Sequence, residues 1–387
     1  MEQPDLVIEA KSKSVELHTK RPVMAILTIE DDILLFRGNR ENFADLLRTG
    51  RRMGFIVYVL TTKHLNFSKK QLKGFTYDEQ KEVWYEQLFP FPDVIYNRIP
   101  QREDEILPSV KGKIESCMRN PNTQLFNPTF FNKWNLFEWL KMSKTTKPYI
   151  PTTRRMVSCS GLSRLIRKHP YLYLKPVSGK AGKGIMTIKV EPEKHLPYRL
   201  RIQEDKKSIT YNCSTIPKLW TRIRKQSLGE AYIAQQGIPL ASVNDRRFDL
   251  RALVQKNQRG QWDITGIGAR VAGSLSITTH VPRGGSIEDP EKLLIKAFGE
   301  ERAKIIMIKA KNTALLIAKQ IERASGMELG EMSMDLGVDE TGNVWFFEAN
   351  SKPMKFDEPH IRKKSLERIF HYGLFLYSKK KAKLGGA

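Results

Sequence analysis

The chain has 387 residues, and 66 Lys or Arg against 42 Asp or Glu leave a formal charge of +24. With 40% hydrophobic and 28% charged residues, the composition is that of a globular protein, which excludes a disordered chain and a small binding module and predicts two or three domains. No apolar run approaches the ~18 residues needed to cross a bilayer, so no membrane span is expected.

Residues 1–21 mix acids and bases without the apolar segment of a secretory signal, and they are read as a leader that begins the mature chain. From Pro22 the pattern predicts a strand over 23–29, a helix over 39–53 and a strand over 55–60. The helix places Phe43, Leu46 and Leu47 at helical spacing and ends near Gly54. Another strand is expected over 93–99, giving a small α/β domain over 22–120. Asn127, Pro128 and Thr129 break the pattern before FFNKWNLFEWLK, whose Phe130, Trp134, Phe137 and Leu140 predict an amphipathic helix. A second unit is expected over 121–378, built from hairpin-like strand pairs and a last long helix over 290–324 that stops near Gly326. The basic tail, 379–387, is expected to fray. Cys117, Cys159 and Cys213 are far apart and form no CxxC pair, which points away from disulfides and zinc and fits a reducing cytoplasm.

Three segments carry chemistry. In YLYLKPVSGKAGKGIMTIKV (171–190), two alternating strands flank a loop holding Gly179, Gly182 and Gly184. Because the loop leads into a strand, it does not fit a Walker A site. Its glycines let backbone N–H groups approach phosphate oxygens while Lys175, Lys180 and Lys183 add charge; an exposed basic turn is the alternative. In RRFDLRALVQKNQRGQWDITGIGARVAG (246–273), Phe248, Leu250, Ala252 and Val254 take one strand face and Arg247, Asp249 and Arg251 the other. A turn at 257–260 then places Arg251 and Arg270 on a shared face, suited to phosphate or carboxylate recognition, with salt bridging to Asp249 as the alternative. THVPRGG (279–285) reads as an anion-binding loop or a plain turn. In MSMDLGVDETGNVWFFEAN (332–350), a four-residue loop over 339–342 pairs Val338 with Asn343. That register puts Asp335, Glu348 and Asn350 on one face, a set of hard oxygen donors suited to Mg²⁺. An odd-length loop without a bulge would separate them.

The basic excess is concentrated. Residues 151–230 hold 18 Lys or Arg against 5 Asp or Glu, a balance of +13, and include Arg199, Arg201, Lys206, Lys207, Arg222, Arg224 and Lys225 beyond the glycine loop. Such a region attracts polyphosphates, acidic proteins, nucleic acid or an anionic surface, or is simply a solvated face.

Taken in order, LKPVSGKAGKGI, YIAQQGI, FDLRALVQ and FFEANSKP resemble the YheC/YheD endospore coat-associated proteins of the ATP-grasp superfamily, over about residues 127–377. The resemblance implies an α/β chain in which two α+β lobes of an ATP-grasp fold enclose Mg-ATP after an N-terminal α/β pre-ATP-grasp domain. It implies that Lys133 and Lys175 hold nucleotide phosphates, that Ser178, Gly179, Lys180, Gly182, Lys183 and Gly184 form a flap closing over them, and that Gln235, Gln236, Gly237 and Ile238 hold adenine. Arg251 and Arg270 would stand on the phosphate side, with Arg270 and Lys175 catalytic. Asp335, Glu348 and Asn350 would bind Mg²⁺, with Mn²⁺ as the second choice. The implied activity is ATP-dependent carboxylate-amine or carboxylate-thiol ligation through an acyl phosphate, which needs no protein nucleophile. The carboxylate and the nucleophile are not identified by it. The basic region is assigned to an acidic peptide or spore coat protein. The rival readings are a noncatalytic ATP-binding coat-associated protein and a basic nucleic-acid binder, the latter disfavoured because no reader motif accompanies the charge.

Overall fold

The computed structural model describes residues 21–177, 184–203, 208–273 and 285–385. Three sheets follow one another along the chain. The first is six-stranded, in the spatial order Val83–Pro90, Gln71–Asp78, Ile56–Thr61, Val23–Thr28, Val94–Asn97, Gln124–Phe126. Val23–Thr28 is buried throughout and pairs in parallel with both of its neighbours, as a strand covered on two faces must. The expected β-α-β opening is present. Its helix, Arg40–Arg52, starts where the Asn39 side chain accepts the Asn42 N–H at 2.9 Å, and it buries Phe43, Leu46 and Leu47. The sheet continues past residue 120, because Gln124–Phe126 pairs in parallel with Val94–Asn97 at its edge.

The middle sheet is antiparallel, in the order Ser208–Cys213, Tyr198–Gln203, Met186–Val190, Tyr171–Pro176, Tyr232–Gln236, Thr153–Arg155. Helices Cys159–Lys168 and Ile216–Ser227 cover one face through Leu162, Leu165, Leu219 and Ile223. The third sheet is likewise antiparallel, in the order Ser286–Glu288, Trp262–Val271, Arg246–Lys256, Glu331–Val338, Val344–Asn350. Its inner face, with Phe248, Leu250, Ala252 and Val254, packs on helices Lys133–Lys141 and Glu300–Ser325. On the strand Arg246–Lys256, alternation leaves Asp249 and Arg251 on the outer face, while Lys256 stays on the inner side and pairs with Glu322 of the long helix.

Two expectations about helices need correction. The helix expected over 290–324 is two helices, Pro290–Phe298 and Glu300–Ser325, because Gly299 adopts φ +79° between them. The tail is also not frayed through Gly385. A final helix, Pro359–Gly385, includes it, and Lys380 Nζ donates to Asp93 Oδ1 at 2.6 Å. That helix buries Phe370, Tyr372 and Leu376 against Met24, Phe55 and Phe126 of the first sheet, so the end of the chain completes the core of its beginning.

Candidate functional site

The site grows from the hairpin Glu331–Val338 and Val344–Asn350. Its turn has five residues, since Val338 pairs with Val344, not with Asn343. Asp339 fixes that turn by accepting from Thr341 N, Asn343 N and Trp345 Nε1 at 2.8–3.0 Å, and Gly342 supplies φ +84°. Left alone, this one-residue slip would put Asp335 and Glu348 on opposite faces. A β-bulge beside Asp335 restores the phase, and Asp335 lies directly across from Glu348. The buried inward residues Phe346 and Ala349 are therefore three apart, and Trp345, Phe347, Glu348 and Asn350 face outward. The expected convergence of Asp335, Glu348 and Asn350 is present, with the expected register corrected.

The neighbouring strand extends this face. Arg251 pairs with Asp335, and Asp249 pairs with both Gly337 and Arg270. Arg251 and Arg270 share the face despite a bulge at Leu253/Val254. Arg251 Nη1 stands 3.4 Å from Asp335 Oδ1, and its Nη2 donates to Ser333 Oγ at 3.3 Å. Lys133, the first residue of its helix, donates Nζ to Glu348 Oε1. Burial lowers the Arg270 pKa and Arg251 adds to the shift, while Asp335, Asp249 and Asp357 oppose it.

The middle sheet contributes Lys175. Its Nζ donates to Gln235 Oε1 at 2.7 Å and lies 5.5 Å from the Phe347 ring centre, which brings it to the outer face of the third sheet. The side chain keeps some surface exposure but is densely surrounded. Desolvation, assisted by Lys133, holds its pKa down to about 8 against Glu348, Asp335 and Asp249. Gln235 is buried and donates to Thr153 Oγ1 at 3.0 Å, so its amide orients Lys175. Gln236 Oε1 accepts from Thr152 N at 3.2 Å; Gly237 N donates to Tyr171 O at 2.8 Å, where a Cβ would collide with the Tyr171 ring; Ile238 is buried. Gly184 has φ +69°, and its carbonyl accepts the Tyr232 hydroxyl at 2.9 Å. Ser178, Gly179, Lys180, Gly182, Lys183, Lys206, Lys207 and most of 279–285 lie outside the described residues.

Asp335 and Glu348 each already face a cation, and Asn350 adds an amide beside them. That donor chemistry fits a divalent hard cation sharing the site with phosphates, although among the described residues no three His, Cys, Asp or Glu form a ligand cluster. Two surface hollows, of about 390 and 380 Å³, open beside Asn257, Lys364 and Arg368 and beside Asp45, Arg52 and Asp357.

The sequence reading missed a polar clasp behind the site. Lys352, two residues after Asn350, is buried; its Nζ donates to Ile99 O at 3.2 Å and pairs with Glu105. Glu105 also accepts from Asn97 Nδ2 at 3.2 Å and Phe130 N at 2.9 Å. Asn127, read only as a breaker, sits at φ +55° and accepts Gly330 N at 2.8 Å while donating to Glu331 O at 2.8 Å. The available signal was positional, since residues 98–105 follow the carboxyl end of a parallel strand, where α/β sheets bind ligands.

A family model described as YheC/D like ATP-grasp matches residues 122–376. The chain belongs to the YheC/D-like ATP-grasp family. Endospore coat-associated protein YheD of Bacillus subtilis (strain 168) is 28% identical over 372 residues, covering 92% of this chain and 79% of that protein. Endospore coat-associated protein YheC of the same organism is 22% identical over 330 residues, covering 84% and 88%. Among solved structures, VanG D-Ala:D-Ser ligase from Enterococcus faecalis superposes with a TM-score of 0.54 at 10% identity, over 92% of this chain and 100% of that one. The last likeness supports the ATP-grasp fold, whose two α+β lobes are the middle and third sheets with their helices. Among the described residues no helix is long and apolar enough to cross a membrane.

Proposed function

We propose that the protein binds Mg-ATP between the middle and third sheets and activates a carboxylate for attack by an amine or thiol. The observation that carries this reading is the pairing of Asp335 with Glu348 across a bulged hairpin, on a face that also presents Lys133, Lys175, Arg251 and Arg270. Bound Mg-ATP would supply the phosphoryl group and the metal charge that offsets its oxygens. Lys175, oriented by Gln235, and Lys133 would donate to phosphate oxygens, Asp335, Glu348 and Asn350 would hold Mg²⁺ or Mn²⁺, and Arg251 and Arg270 would stabilise negative charge on the phosphate side. Gln235 to Ile238, the crossing from the middle to the third sheet, would border the adenine. Association with the endospore coat is taken from the names of the relatives, and the acceptor is assigned to acidic peptides or coat proteins on charge. Helix Ile216–Ser227 supports that assignment: Arg222 lies 4.2 Å from the Tyr211 ring centre, and among the described residues Arg222, Arg224 and Lys225 form no salt bridge. Arg199 and Arg201, in contrast, are engaged internally by Glu191 and Ser208.

The test is Mg-ATP-dependent ADP release with a panel of amino acids and acidic peptides. At least one member should stimulate release, and Glu348→Ala should lower it by about 100-fold or more with the fold intact, given what one group aimed at the reacting phosphates contributes. A wild-type protein that binds Mg-ATP but releases no ADP with any member would favour a noncatalytic coat-associated role.

A further inference from the structure

Arg102 opens the four-residue helix Arg102–Glu105, just beyond the strand Val94–Asn97. Its Nη2 donates to Phe131 O at 2.5 Å, and its guanidinium carbon lies 5.6 Å from the Phe130 ring centre. Two residues after Phe131 comes Lys133, whose ammonium meets Glu348. The same short helix is clamped from behind, where Glu105 takes Phe130 N and Lys352. These contacts tie the domain of the first sheet to the start of the Lys133 helix and to the end of the strand carrying Glu348 and Asn350. Arg102 is half-buried here, yet among the described residues no carboxylate pairs with it within 4.0 Å. Glu105, Glu103 and Glu348 act on it only through longer-range attraction. A guanidinium has five N–H donors in a planar fork, and Phe131 O uses one. A part-desolvated cation with most of its fork uncommitted suits an incoming anion with matching geometry, which a carboxylate provides.

The nucleotide side of the proposed site is already served by Lys133, Lys175, Arg251 and Arg270, all from the second and third sheets or their helix. Arg102 comes from the domain of the first sheet, near enough to Glu348 to feel its charge without pairing with it. We propose that Arg102 binds a carboxylate of the acceptor substrate and holds it beside the Glu348 face. This assignment rests on the ligase reading above, and it makes the domain of the first sheet the specificity side of the cleft.

The experiment compares wild type, Arg102→Lys and Arg102→Gln, each loaded with Mg²⁺ and a non-hydrolysable ATP analogue. Binding of a tetraglutamate peptide is followed by calorimetry, with nucleotide affinity and thermal unfolding measured on the same samples. Wild type should bind the peptide. Loss of a charge-assisted fork should weaken peptide binding in Arg102→Gln by about 10- to 100-fold, and Arg102→Lys, a point charge without the fork, should fall between. Nucleotide affinity should stay within about twofold in all three. Should Arg102→Gln fail to fold, the Lys variant decides by the same criterion. Equal peptide affinity in every variant, no peptide binding by nucleotide-loaded wild type, or equal losses of peptide and nucleotide would each overturn the assignment. The last outcome would mean that Arg102 only props the Lys133 helix. Absence of nucleotide binding in wild type would instead sink the ligase reading, and the peptide arm would still judge Arg102.

Discussion

Replacing Lys352 by Met tests whether the clasp behind the site holds the domain of the first sheet to the third sheet. The ammonium is buried and meets Glu105, Ile99 O and, at 4.7 Å, the Phe130 ring. Methionine fills much of the volume but strands the Glu105 carboxylate. Breaking one side of a buried pair costs about 3–5 kcal/mol. Glu105 keeps Asn97 Nδ2 and Phe130 N as donors, so the lower end, about 3 kcal/mol, is expected here. Adding Glu105→Gln to Lys352→Met removes the stranded charge and should recover more than half of the loss. The assay is urea unfolding followed by tryptophan fluorescence, with the midpoint and slope both measured. Burial holds Lys352 down to about 8 against its ordinary 10.5, with Arg98 lowering it further and Glu105 opposing. Between those values the unfolded chain carries the extra proton, so this lysine's contribution to stability rises as pH goes from 8 to 10.5, and Lys352→Met should flatten that rise. A Lys352→Met protein within about 1 kcal/mol of wild type at pH 7 would refute the clasp.

Gly266→Ala places a Cβ 2.4 Å from Ile361 Cγ1, and Ile361 is fully buried, so overpacking should lower stability by about 1–3 kcal/mol in the same urea assay. Neutralising Arg222, Arg224 and Lys225 together should weaken capture of an acidic peptide and flatten its salt dependence, measured at two salt concentrations, with nucleotide affinity unchanged, because exposed charge acts through steering screened over ~8–10 Å.

Much of the architecture was legible because single periodicities dominated. Phe43, Leu46 and Leu47 declared the first helix, and alternation declared the strands around Lys175 and Asp335. Where two structural devices combined, the reading slipped. The five-residue turn and the bulge at Asp335 shift the register in compensating ways, so the face of Glu348 was right although its pairing was not. The final helix was missed because it packs against both the first sheet and the strands 246–256 and 262–271, and IFHYGLFLY therefore shows no clean polar stripe. The clasp was invisible for a different reason. Lys352 meets Glu105 across 247 residues and Asn127 meets Ser351 across 224, which no local spacing encodes. Lys133, which meets Glu348, could be singled out only through family resemblance, since its helix alone reads as ordinary amphipathic packing.

Calorimetric titration of ATP into the full chain, with Mg²⁺ and then with the metal chelated, decides whether the Asp335–Glu348 face binds Mg-ATP when repeated on an Asp335→Asn, Glu348→Gln variant. Binding should be saturable, weaken at least tenfold on chelation and fall comparably in the variant with Mg²⁺ present, since both remove the same metal bridge to the phosphates. No binding by wild type, or an affinity indifferent to both the chelator and the substitutions, would contradict Mg-ATP binding at this face.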